Sequence, residues 1–182
     1  MRDEFWVFGY GSLMWKPGFE FVERVVADLH GYQRRFCLRS IRYRGTPEAP
    51  GLVLALDHEP GAVCTGMAYR VSAAVASEVY RYLRQREMVT GAYLESLHPL
   101  RLKDGRDVEG LAYSAAPDHP QYAGRLSLAE QARIIAAAEG PAGLNRDYLF
   151  STLEHLSGIG IADPELEALA AEVRALTGAV SG

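Results

Sequence analysis

Lysine is almost missing from this 182-residue sequence: Lys16 and Lys103 are the only two, and every other basic residue is arginine. Cysteine is equally scarce. Cys37 and Cys64 sit in apolar, strand-like surroundings and form no CxxC pair, which excludes a disulfide framework or a cysteine metal site and predicts buried structural thiols. No apolar run approaches the roughly 18 residues of a membrane span. Positive charge is not in excess: the net charge is −4, which argues against a general affinity for nucleic acid. Met1-Arg2-Asp3-Glu4 carries two acids where a secretory leader would carry a basic segment, so the expected location is cytoplasmic. The GxSxG elbow and the HExxH helix are absent, and His30, His58, His98, His119 and His155 are scattered without ligand spacing. A zinc or Ser-His enzyme is therefore not expected.

What remains is ordinary globular composition, 48% hydrophobic and 23% charged, at a length that fits a single domain over residues 1–182. Phe5-Trp6-Val7-Phe8, ending at Gly9, reads as a buried strand. Leu52 to Leu56 and Ala62 to Val71 read as two more, parted by the turn-rich Asp57-His58-Glu59-Pro60-Gly61. Asp104-Gly105 marks a hairpin between Leu100-Arg101-Leu102 and Val108 to Tyr113. Ser72 is placed to cap a helix running to about Arg86, with Val75, Val79, Tyr82 and Leu83 on one face. Later helices begin at Ser127, which has capping-box spacing to Glu130, at Asn145, and at Asp163-Pro164. The stripe of the last is Leu166, Leu169, Ala170, Val173 and Leu176. Strands first and helices late, without strict alternation, predict an α+β fold.

Three segments carry residues suited to chemistry. Gly9-Tyr10-Gly11-Ser12-Leu13-Met14 follows the first strand directly. Closely spaced glycines let backbone N–H groups approach an anionic ligand, though the same spacing also suits a plain strand-end turn. It is no dinucleotide fingerprint, because Met14 holds the third glycine position, and no P-loop lysine follows. The second segment, Tyr32 to Pro50, holds Arg34, Arg35, Arg39, Arg42 and Arg44. Arginine forks suit carboxylates, while a solvated charged strand is the alternative, favoured for Arg34 and Arg35. In the third, Glu87 falls four residues after Leu83, at the end of an apolar stripe and near a helix C-terminus. Burial and the helix dipole would both raise its pKa toward that of a proton shuttle. Pattern alone favours a surface glutamate paired with a nearby arginine.

Taken together these residues resemble the ChaC family of gamma-glutamylcyclotransferases, in its glutathione-specific branch. The likeness runs through Trp6-Val7-Phe8-Gly9-Tyr10-Gly11-Ser12-Leu13-Met14-Trp15, Gly31-Tyr32-Gln33-Arg34-Arg35-Phe36, Arg44 to Gly51, Tyr82 to Met88 and Gly143 to Leu149. It covers most of residues 5 to 156; the segment after Ser157 adds no motif. The resemblance implies a small, mixed β-barrel flanked by helices. It also implies cleavage of glutathione to 5-oxoproline and cysteinylglycine without metal or cofactor, with neither nucleic acid nor membrane as partner. The family's catalytic glutamate falls on Glu87 and its substrate cradle on Gly9, Tyr10, Gly11, Ser12, Leu13 and Met14.

Within that chemistry Arg39 or Arg44 is a candidate holder of a substrate carboxylate. Tyr148 is a candidate hydroxyl partner of substrate, with a core tyrosine as the alternative. Two other functions stay open at this point: a cyclotransferase for other gamma-glutamyl amines or dipeptides, and a non-catalytic module that binds a small anion.

Overall fold

Side chains two apart on a strand share a face, and this period of two defines the core of the computed structural model, which describes residues 3–178. Trp6 and Phe8 lie on β1 (Phe5–Gly9), Ala27 and Leu29 on β2 (Glu23–Ser40), and Leu100 and Leu102 on β4 (Tyr93–Leu102). With Leu56, Cys64 and Ala68 of β3 (Gly51–Val71) and Ala112 of β5 (Asp107–Ala115) they form one buried apolar cluster. The strands close into a barrel in the order β1-β3-β2-β4-β5. Most of its recorded pairings are antiparallel, but β1 and β5 run parallel, so the sheet is mixed. The hairpin joining β4 to β5 falls at Asp104-Gly105, as the turn signal predicts, with Gly105 at a φ of 95°.

Helix α1 (Ala76–Glu87) buries Ala76, Val79 and Leu83. The chain then forms α2 (Leu128–Ala137), a short ribbon of β6 (Glu139–Gly140) and β7 (Gly143–Leu144), α3 (Asn145–Gly158) and α4 (Pro164–Gly178). Ser127 and Glu130 make the expected reciprocal cap of α2, and Asp163 accepts the N–H of Leu166 at the start of α4. Helices α2, α3 and α4 pack on one another. The architecture is α+β. Two compact units are distinguishable, residues 3–34 with 55–119, and residues 35–54 with 120–178.

Four sequence expectations give way. Asp57 to Gly61 is no chain reversal; β3 continues through it, because Gly61 at a φ of 85° bends the strand without ending it. Ser72 does not cap α1, which begins four residues later with Val75 before it. Leu176 is 37% exposed, although Leu166, Leu169, Ala170 and Val173 of the same helix are buried. Asn145 is not a cap either. It is fully buried, its Oδ1 accepting the Leu52 N–H and its Nδ2 donating to the Leu52 carbonyl, both at 2.8 Å. The side chain thus takes the place of a paired strand. Asn145→Ala should destabilise the protein by about 1–3 kcal/mol for each Leu52 group left unpaired. Chemical denaturation measures this, and a loss below about 0.5 kcal/mol would refute the bracing role.

Candidate active site

Glu87 is the last residue of α1, one turn after Leu83, so the apolar stripe that docks the helix also carries a carboxylate. Its side chain is 16% exposed. Burial raises its pKa above the ordinary 4.5, and the neighbouring Arg86 guanidinium opposes the shift. The carboxylate is therefore poorly solvated and has one cation beside it, Arg86 Nε lying 3.4 Å from Oε1.

Arg86 connects this carboxylate to the glycine-rich segment. Its Nη2 donates to Ser12 Oγ at 2.8 Å, and its Nη1 to the carbonyls of Lys16 and Pro17 at 2.8 and 3.1 Å. After Gly9 the chain leaves β1 and turns through a single 3₁₀ turn, Ser12–Met14, in which Met14 N–H donates to the Gly11 carbonyl. Leu13 and Met14 are buried and anchor the turn. Tyr69 holds it from beneath, its hydroxyl lying 2.8 and 2.9 Å from the carbonyls of Leu13 and Met14. Burial pushes that hydroxyl up to about 12, so it remains a donor at any physiological pH.

The two glycines of the segment differ in what surrounds them. A Cβ at Gly9 would lie 2.9 Å from the Leu13 Cβ, whereas a Cβ at Gly11 would meet no protein atom within 4 Å. Gly9 is required by packing of the turn. Gly11 faces open space.

A second carboxylate, Glu95 on β4, accepts the hydroxyls of Tyr80 at 2.6 Å and Tyr113 at 3.0 Å. The Tyr113 hydroxyl is held strongly protonated by burial first, then by the charges of Glu95 and Glu87. Sequence patterning does not single out Tyr69, Glu95 or Tyr113, because their partners lie 15 to 56 residues away in the chain. Arg34 was expected on a solvated strand and is instead buried at 3% exposure.

The remaining sequence candidates lie in the other unit. Arg39 is half-buried and its backbone pairs with Gln121. Arg44 donates to the Leu144 carbonyl at 3.2 Å and lies over the Tyr148 ring, 5.7 Å from its centroid. The Tyr148 hydroxyl accepts the Leu54 N–H at 3.3 Å, and its ring meets Phe36 edge-on. Arg44 and Tyr148 are thus brought together. Glu87 and the glycine-rich segment are likewise brought together in their own unit. Among the described residues no cluster of three or more His, Cys, Asp or Glu side chains is arranged to hold a metal ion, and no helix is long and apolar enough to cross a membrane.

The sequence and the barrel both have known counterparts. The sequence model of ChaC-like proteins matches residues 5–176, and the chain belongs to that family. It is 42% identical over 171 residues to the glutathione-specific gamma-glutamylcyclotransferase of Escherichia coli, covering 94% of this chain and 73% of that protein. It is 36% identical over 178 residues to glutathione-specific gamma-glutamylcyclotransferase 1 of Danio rerio, covering 96% and 91%. The crystal structure of the yeast gamma-glutamyl cyclotransferase specific to glutathione superposes with a TM-score of 0.84 at 26% identity, over 96% of this chain and 97% of that one.

Proposed function

We propose that this chain is a gamma-glutamylcyclotransferase that converts glutathione to 5-oxoproline and cysteinylglycine. The observation that carries the reading is the Arg86 bridge, which ties the Glu87 carboxylate to Ser12 of the glycine-rich segment. A proton acceptor and a row of backbone N–H groups thereby stand on one scaffold. The relatives from Escherichia coli and Danio rerio, both named glutathione-specific gamma-glutamylcyclotransferases, agree with it.

The reaction needs little else from a protein. The substrate's own alpha-amine attacks its gamma-carbonyl, so a C–N bond forms within the molecule while the amide bond to cysteine breaks. Tethering supplies much of the entropy, since effective molarities of oriented intramolecular reactions reach about 10⁵–10⁸ M. An ammonium cannot attack, so Glu87 takes its proton and later returns it to the departing amine; a second proton, lost by the attacking nitrogen as the ring closes, reaches that amine through solvent, so it leaves as an ammonium with no net proton change. The carbonyl oxygen becomes anionic on the way. Backbone N–H groups around Gly9 to Leu13 are suited to receive it, at about 3–4 kcal/mol for each well-placed donor.

The chain passes between the two units at Arg34, Leu54 and His119, so neither unit is a continuous stretch, and we read residues 1–182 as one functional domain. Cys37 and Cys64 are both buried thiols outside any disulfide, in keeping with a cytoplasmic location.

Incubation with glutathione and with gamma-glutamyl-alanine, followed by assay of 5-oxoproline, tests the proposal. Glutathione should be turned over with the clearly higher kcat/KM, and EDTA should leave the rate unchanged. Equal kcat/KM for the two would overturn glutathione specificity. Glutathione binding with no 5-oxoproline from either substrate would favour the binding-module alternative.

A further inference from the structure

Among the described residues Arg34 is the only buried cation, at 3% exposure. Its Nε donates to the Tyr10 carbonyl and its Nη2 to the Thr65 carbonyl, each at 2.6 Å. These two nitrogens form one edge of the guanidinium fork, so a single planar group grips two backbone segments at once. The position is telling. Antiparallel pairing of β1 with β3 ends at Gly9 opposite Met67. Continued by two residues, the register would set Gly11 opposite Thr65. Instead the chain departs at Tyr10, and the guanidinium occupies carbonyls that further strand pairing would have used.

This grip has a consequence on the far side of the same peptide unit. The peptide between Tyr10 and Gly11 is trans, as none in the described chain is cis, so the Tyr10 C=O and the Gly11 N–H point in opposite directions within one plane. Fixing the carbonyl on Arg34 fixes the Gly11 N–H away from it. A carbonyl that accepts a hydrogen bond from a cation also polarises its amide, making the N–H a stronger donor. Gly11 itself borders open space.

We propose that Arg34 is a positioning residue that orients and polarises the Gly11 N–H as the donor to the developing oxyanion, by holding the Tyr10 carbonyl where β1 leaves the sheet. The proposal rests on the cyclotransferase reading of the glycine-rich segment. Arg34 touches no substrate in this account; it acts through the peptide.

Arg34→Gln and Arg34→Lys test it in the full chain, by kinetics with glutathione and by amide NMR of protein labelled with ¹⁵N-glycine. A single oxyanion donor is worth about 10²–10³ in kcat, so misaiming one should lower kcat of Arg34→Gln at least about tenfold with KM within about threefold. Arg34→Lys, which keeps the charge but loses the fork, should fall between that variant and wild type. The Gly11 amide resonance should move in both variants while that of Gly105, in the distant hairpin, stays in place. A folded Arg34→Gln variant with wild-type kcat would overturn the proposal, as would an unmoved Gly11 resonance. A loss carried wholly by KM would place Arg34 on the substrate and overturn it too. If neither variant folds, wild-type protein labelled at Arg34 Nε and at the Tyr10 carbonyl should show a coupling through the hydrogen bond, and its absence refutes the brace. The NMR arm does not depend on turnover. A moved Gly11 resonance in a protein that makes no 5-oxoproline would therefore overturn the cyclotransferase reading and, with it, the oxyanion role, while leaving the brace itself in place.

Discussion

Glu87→Gln should lower glutathione turnover by at least about a hundredfold, because general acid–base groups contribute typically 10²–10⁴-fold. Glutamine keeps the shape of the side chain and cannot accept the proton. Glutathione affinity, measured by calorimetry, should stay within roughly tenfold of wild type, since the carboxylate moves a proton rather than grips the substrate. The direction of the Glu87 pKa adds two checks. Its value in the folded protein is raised above the ordinary 4.5 by burial, so the acid limb of kcat/KM should lie above that pH and vanish in the variant.

Stability follows the same sign. Between the ordinary and the raised pKa the folded state binds more protons than the unfolded state, so the Glu87 contribution to stability falls as pH rises through that window. Above that window the poorly solvated carboxylate is a cost, and there Glu87→Gln should be at least as stable as wild type by thermal unfolding. A variant that loses both fold and binding would instead identify Glu87 as a structural partner of Arg86. Near-normal turnover would move the proton transfer to another group.

Gly11→Val should lower kcat/KM by about 10²-fold, the scale of loss when reacting groups are displaced by about 1 Å. The structure sharpens the reason. A Cβ at Gly11 meets no protein atom within 4 Å, so the added branches enter the open space in front of the segment and not the core. Circular dichroism should therefore report a folded variant. Gly9→Ala is the control with the opposite cause: its Cβ would press on the Leu13 Cβ at 2.9 Å and disturb the turn itself. Gly9→Ala should lose stability, while Gly11→Val should lose activity. Wild-type kinetics in a folded Gly11→Val protein would reduce the segment to a plain strand-end turn.

These two variants concern residues that sequence reading reaches unaided. Gly9 to Met14 and Glu87 stand out because each is local: a glycine pair after an apolar run, and a carboxylate in register with a helical stripe. The same locality makes Asp104-Gly105, the Ser127 and Glu130 box and the Asp163 cap legible, since their donors and acceptors lie within a few residues. Where the partner is remote, the local signal misleads. Asn145 sits where a cap belongs and bonds Leu52 instead, 93 residues away. Gly61 follows a run of turn residues and lies inside β3, because a left-handed glycine bends a strand as readily as it ends one.

The sequence by itself determined the α+β order of elements, the core periodicity, the family likeness and the residues around which the chemistry is built. Only the tertiary structure decided what surrounds them. Whether Glu87 is a surface ion-pair glutamate or a poorly solvated base depends on what covers the end of α1, and burial is a property of packing. Whether Arg34 is solvated or braces the exit of β1 depends on two carbonyls, 24 and 31 residues away, that only the side-by-side placement of β1, β3 and β2 brings beneath its fork. Hydropathy scores such an arginine as exposed, while the backbone carbonyls that satisfy its fork are invisible in the pattern of side chains.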